Sequence, residues 1–120
     1  ANGLLTNRYT AGTPFDPVTD YRASMPQYRP ESFEKNRALF SLLERLAEEH
    51  RATASQISLA WMMNKRPPIV PIPGTRHLFR LKENIGATDI HLTDEEVKDI
   101  DTALDTMPLS EVFGGSPIKK

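Results

Sequence analysis

Pro67 to Ala87 reads PPIVPIPGTRHLFRLKENIGA, an apolar run, a Pro-Gly turn and a helix-period segment in succession. A short apolar run (Ile69, Val70, Ile72) halts at Pro73-Gly74 and reads as a strand, although Pro71 removes one ladder donor. A helix-period segment follows. Leu78, Leu81 and Ile85 recur at i, i+3 and i+7, which predicts a buried face for a helix over 77–86. At about 100° per residue, Arg76, Arg80, Glu83 and Asn84 share roughly a quarter-turn on the opposite side. A strand therefore hands over, through Gly74 and Thr75, to a helix with an apolar face and a polar one.

Working outward, residues 53–65 form the preceding element. Thr53-Ala54-Ser55-Gln56 is a capping box with Thr53 at N-cap and Gln56 at N3. Ile57, Leu59, Ala60, Trp61, Met62 and Met63 make the helix apolar nearly all round, so it is expected to be buried. Pro67 and Pro68 stop it near Lys65. Before it, Leu39, Phe40, Leu43, Leu46 and Ala47 stripe a helix over about 32–50. Residues 1–32 are irregular, with Gly3, Gly12, Pro14, Pro17, Pro26 and Pro30 too frequent for a helix. Tyr9, Phe15, Tyr21 and Tyr28 mark this loop as one that packs onto something, since a mobile linker carries fewer aromatics.

On the far side, Leu92-Thr93-Asp94-Glu95-Glu96-Val97 holds a second capping box (Thr93, Glu96) and the spacing of a hydrophobic staple (Leu92, Val97). Val97, Ile100, Leu104 and Met107 supply the apolar face of a helix over 94–106, closed by Pro108. The remainder reads as a tail. The tally is four helices and one strand. A lone strand cannot satisfy its own backbone groups, so its partners must come from other residues of a longer chain or from another copy.

Composition narrows the classes. The 120 residues suit one domain, and a net charge of −1 opposes a nucleic-acid binder that works by neutralising phosphates. There is no cysteine, hence no disulfide or thiolate metal site. No apolar run nears the roughly 20 residues that span a bilayer, and no signal segment opens the chain, so neither membrane nor secretion is expected and a cytoplasmic location is. The start at Ala1, in a loop and without Met, suggests a piece of a longer protein.

Two readings of the arginine face stay open. Arg76 and Arg80 could pair with nearby carboxylates on a solvated helix side. Alternatively they bind an anion: Gly74 admits a ligand to the backbone, free N–H groups at the helix start attract phosphate, and Thr75 and Arg76 add a hydroxyl and a guanidinium fork. His50, His77 and His91 lack metal-ligand spacing, and surface or loop roles suit them better. Trp61, Met62 and Met63 fit core packing better than a pocket wall. Neither a Ser/His/Asp arrangement nor a carboxylate dyad stands out, and no catalytic residue is assigned.

The stretch Ile69–Arg76, with Leu81-Lys82-Glu83-Asn84-Ile85-Gly86-Ala87 after it, resembles the C-terminal cofactor signature of the aldo-keto reductases. Further matches are Asn2-Gly3-Leu4-Leu5-Thr6 with Tyr9, then Phe15, Asp20, Arg22, Pro26 and Asn36, then Gln56, Leu59, Ala60 and Trp61, and the Thr93 helix. The resemblance implies an α/β fold: the C-terminal fragment of a TIM-type (β/α)8 barrel, mainly helical as a separate chain. Residues 1–32 would be the loop after barrel strand 7, 33–66 helices, 67–87 strand 8 with the phosphate turn and its helix, 88–106 an extra C-terminal helix, and 107–120 a tail. It implies NADPH as cofactor and reduction of small carbonyl substrates. Gly74, Thr75 and Arg76 would hold the adenosine 2′-phosphate. Arg80 would pair with it or stack on the adenine, Glu83 and Asn84 would recognise the adenosine, and Asn2 and Gly3 would lie near the pyrophosphate. The family's catalytic Asp, Tyr, Lys and His match nothing here and are expected upstream, so the chain alone is expected to be inactive. Its partner is then the upstream part of the same barrel or another copy. Alternatives are a non-catalytic NADPH-binding regulatory module, like the potassium-channel β subunits, and an independent helical interaction domain.

Overall fold

Three of the helices begin where the sequence supplies a cap or a proline. In a computed structural model, which describes residues 3–106, α1 (Pro30–Lys35) starts with Pro30 in the first turn, where a missing N–H costs nothing. It runs on through the buried Asn36, at φ −88° and ψ 0°, into α2 (Arg37–Glu49). The single helix expected over 32–50 is thus two helices joined at one residue. α2 ends with Arg51 left-handed at φ 51°, while the Ala52 N–H donates to the Ala47 carbonyl at 2.8 Å and the Arg51 N–H to Glu48. This is the Schellman arrangement, built here without glycine.

α3 (Ala54–Asn64) opens on the Thr53/Gln56 box, both bonds of which form. α4 (Leu78–Gly86) and α5 (Asp94–Thr106) follow. Before α5 the Thr93 N–H donates to Glu96 Oε2 at 2.7 Å, and the Glu96 N–H donates to Thr93 Oγ1. Leu92 is buried, with Val97 packed against its cluster, as the staple spacing predicts.

Two cores hold the chain. Leu39, Leu43 and Leu46 of α2, Ile57 and Ala60 of α3, Leu92, and Ile100 and Ala103 of α5 close the main one. The second lies under the N-terminal loop, where Leu4, Met25 and Tyr28 are buried beside Tyr9, Phe15 and Phe33. Tyr28 meets Tyr9 and Phe15 edge-on, with ring centroids 5.8 and 4.9 Å away. Burial pushes the Tyr28 hydroxyl up to about 12. Of the four loop aromatics, only Tyr21 stays outside, 63% exposed.

Three expectations are corrected. There is no strand among the described residues: Ile69 donates its N–H to the Met62 carbonyl instead of a ladder, and Val70 and Ile72 are exposed. A ladder needs a second strand, and the described residues supply none. The predicted buried face of α4 is likewise open, with Leu78 69%, Leu81 45% and Ile85 59% exposed. α4 instead turns its polar side toward α3, where hydrogen-bond partners wait. α3, expected to be wholly buried, sinks Ala54, Ile57 and Ala60 and leaves Leu59, Trp61, Met62 and Met63 half-buried. The tail residues 107–120 and Asn2 lie outside the described residues.

Candidate anion-binding cleft

A cleft of about 1110 Å³ opens between the N-terminal loop, α3 and the 71–84 stretch. Gly74, Thr75, Arg76, Arg80 and Asn84 line one wall, and Gly3 lies on the other. Six of the eight residues singled out for a nucleotide thus meet in one depression. Gly3 takes φ 90°, a left-handed conformation, and a Cβ there would sit 2.9 Å from the Tyr9 ring. The other two behave differently: Asn2 is not described, and Glu83 turns away from the cleft.

The turn before α4 is exposed along its length. Thr75 Oγ1 accepts the His77 N–H at 3.1 Å, which folds the chain into the helix. His77 is the N-cap but contributes no side-chain cap bond, so the first-turn N–H groups remain open to an anion. Because α4 starts at Leu78, Arg76 sits in the turn and not on the helical face that its spacing suggested. It has no carboxylate partner among the described residues. Arg80 does: its guanidinium meets Glu83 Oε2 at 2.6 Å. The two open readings of the arginine face therefore divide between the residues, with pairing at Arg80 and an uncommitted charge at Arg76.

On the opposite wall, sequence reasoning assigned only Gly3 to the nucleotide. Arg8, Tyr9, Tyr21 and Arg22 line it, and Ser55, Ser58 and Met62 of α3 form the floor. Arg22 is held on all sides. Its Nε donates to Asp20 Oδ1 at 2.9 Å, an NH group donates to the Tyr9 hydroxyl, and its plane lies 4.8 Å from both the Tyr9 and Phe15 rings. The Arg22 hydrogen bond holds the Asp20 carboxyl below its ordinary range, and that pairing raises the Arg22 guanidinium further. The Asp20-x-Arg22 spacing was visible in the sequence, but only folding brings it across from Arg76. The lining thus carries four arginines and no carboxylate, in a chain whose net charge is −1.

Trp61 and Met62 part company. Trp61 packs against the main core and donates its ring N–H to Asp101 at 2.9 Å, while Met62 lines the cleft. Among the histidines, His50 meets Glu96 at 2.7 Å and so ties the end of α2 to the start of α5. No helix of the described residues is long and apolar enough to cross a membrane.

Known proteins are similar to this sequence. An aldo-keto reductase, str7, from Strobilurus tenacellus is 39% identical over 95 residues, covering 79% of this chain and 28% of its own. The aldo-keto reductase yakc [NADP(+)] of Schizosaccharomyces pombe is 39% identical over 112 residues, 93% of this chain and 32% of its own. A probable aldo-keto reductase 1 of Glycine max is 32% identical over 99 residues, 82% of this chain and 28% of its own. The chain thus spans 28 to 32% of the length of these relatives. The sequence pattern of the Aldo/keto reductase family matches residues 1–105. On that match the chain belongs to the aldo/keto reductase family.

Proposed function

We propose that the cleft binds the adenosine end of NADP(H), and that the chain is the C-terminal part of a (β/α)8-barrel reductase acting on aldehydes or ketones. The observation that carries this reading is the lining: four arginines without a carboxylate, beside an uncapped helix start. Arg76 is the selective element. Exposed and unpaired among the described residues, its planar fork matches a phosphate dianion, and the Gly74 and Thr75 backbone leaves the approach open. The first-turn N–H groups of α4 add a positive pole. Arg80 and Asn84 face the adenosine. Arg8, on the far wall beside Gly3, is placed for the charges of the pyrophosphate. The choice of cofactor is supported by a relative named for NADP(+). When bound, the dinucleotide supplies the hydride for the carbonyl, and no residue of this chain is assigned to proton transfer.

The open apolar side of α4, with Val70 and Ile72, belongs to the same reading. Exposed apolar patches of this kind mark interaction surfaces, and here the rest of the barrel is the proposed cover. Calorimetric titration of the protein expressed from its full reading frame tests the phosphate site. Arg76→Ala should weaken binding of 2′-phospho-ADP by about tenfold or more, the cost of a charge-assisted hydrogen bond, and leave ADP binding nearly unchanged. Equal losses for the two nucleotides would remove the phosphate role.

A further inference from the structure

α4 is fastened in an unusual way. Its apolar side is open, and besides the buried Ala87 that follows it, its attachment to α3 includes a polar joint at the α3 N-terminus. Gln56 Nε2 donates to the Glu83 main-chain carbonyl at 2.9 Å. Thr53 Oγ1 donates to Glu83 Oε1 at 2.9 Å, while the other carboxylate oxygen of Glu83 holds Arg80. The Gln56 amide fits a notch at Gly86, where an added Cβ would stand 2.8 Å from Nε2. The same two residues build the α3 capping box, so Gln56 works at both ends of its amide: Oε1 accepts the Thr53 N–H at 3.0 Å and Nε2 reaches α4.

We infer that Gln56, Thr53 and Gly86 are positioning residues for the nucleotide, acting through α4 and Glu83 without touching the ligand. The inference rests on the cleft being the nucleotide site. A bond chain from the α3 cap through Glu83 to Arg80 sets how far the α4 side of the cleft stands from the α3 floor. Arg80 and Asn84 move with the helix, whereas Thr75 and Arg76 belong to the preceding turn. Loosening the joint therefore weakens the adenosine contacts, which 2′-phospho-ADP and ADP share.

Two substitutions separate this role from simple support of the fold. Gln56→Glu keeps an acceptor for the Thr53 N–H, as capping boxes commonly do, but deletes the donor to Glu83. Gly86→Ala suits the local backbone, φ −58° and ψ −17°, and raises helix propensity, yet it expels the Gln56 amide from its notch without changing any charge. The experiment titrates both variants and Arg76→Ala, in the full-length protein, with 2′-phospho-ADP and ADP, and records each thermal midpoint. Both joint variants should weaken the two nucleotides alike, by about fivefold, the scale of one lost neutral hydrogen bond. Gly86→Ala should do so with an unchanged or higher midpoint, which a merely structural role would not produce. If Arg76→Ala is selective while Gly86→Ala binds as the parent does, the joint has no positioning role, even should Gln56→Glu lose affinity through its added charge. If Arg76→Ala is not selective, the nucleotide reading itself fails, and this inference with it.

Discussion

Glu96 answers to several groups at once. One carboxylate oxygen takes the Thr93 N–H and hydroxyl, and the other meets the His50 ring at 2.7 Å. Burial opposes its ionisation, but the Thr93 backbone bond and the His50 and Thr93 side chains outweigh that and hold the carboxyl below its ordinary value. The folded pKa is thus lower than the unfolded one. Its stabilisation is present above the ordinary carboxylate range and is lost as pH falls through the depressed folded value. Urea unfolding across acidic pH should show this loss, and Glu96→Gln, which can still cap α5, should flatten that part of the profile. A variant with the parent's acid dependence would show that other carboxylates carry it. Such local arrangements were legible in the sequence, because Thr-x-x-Glu and Thr-x-x-Gln need only one turn of helix to act. The partners His50 and Glu83 were not, since they sit 46 and 30 residues from the groups they bind.

Among elements, α3 touches both the main core and the cleft, so its cap matters to each. Thr53→Ala removes the capping bond and the Glu83 anchor together, and should cost about 1–2 kcal/mol in chemical unfolding. Ile57→Ala, at a position with no exposure, should cost about 2–5 kcal/mol through lost burial and a residual cavity. A smaller effect at Ile57 than at Thr53 would mean that the main core is not where the chain's stability lies. Helix boundaries were readable because prolines and caps punctuate them: Pro30, Thr53, Pro67 and Thr93 each fall at an element's edge. The 69–72 strand was read from an apolar run stopped at Pro73-Gly74, with its partners expected outside these residues, and among the described residues it has no neighbour to pair with. The orientation of α4 escaped for a related reason. Periodicity predicts which residues share a face, and Leu78, Leu81 and Ile85 do; it does not say that the described chain offers that face nothing to pack on.

For the whole molecule, the apolar side of α4 distinguishes a barrel segment from a free-standing helical domain. Ile85→Gln, at a site 59% exposed, should shift the stability of residues 1–120 alone by no more than about 0.5 kcal/mol. In the full-length protein, where the proposed barrel covers this face, the same change should cost about 2 kcal/mol or more, the scale of burying one such side chain. Equal small effects in both would favour the independent domain. The cleft was half legible at this scale. The Gly74–Asn84 wall lies in one continuous stretch, but its Arg8 and Arg22 counterpart is assembled only when the aromatic loop folds back over Tyr28.

A crystal structure of the full-length protein with NADP(+) would show where the nucleotide lies. The 2′-phosphate should lie against the Gly74–Arg76 turn, within hydrogen-bond distance of the Arg76 guanidinium, with the adenosine between Arg80 and Asn84. A dinucleotide bound elsewhere, with Arg76 and Arg80 facing only water, would rule out the cleft as the nucleotide site.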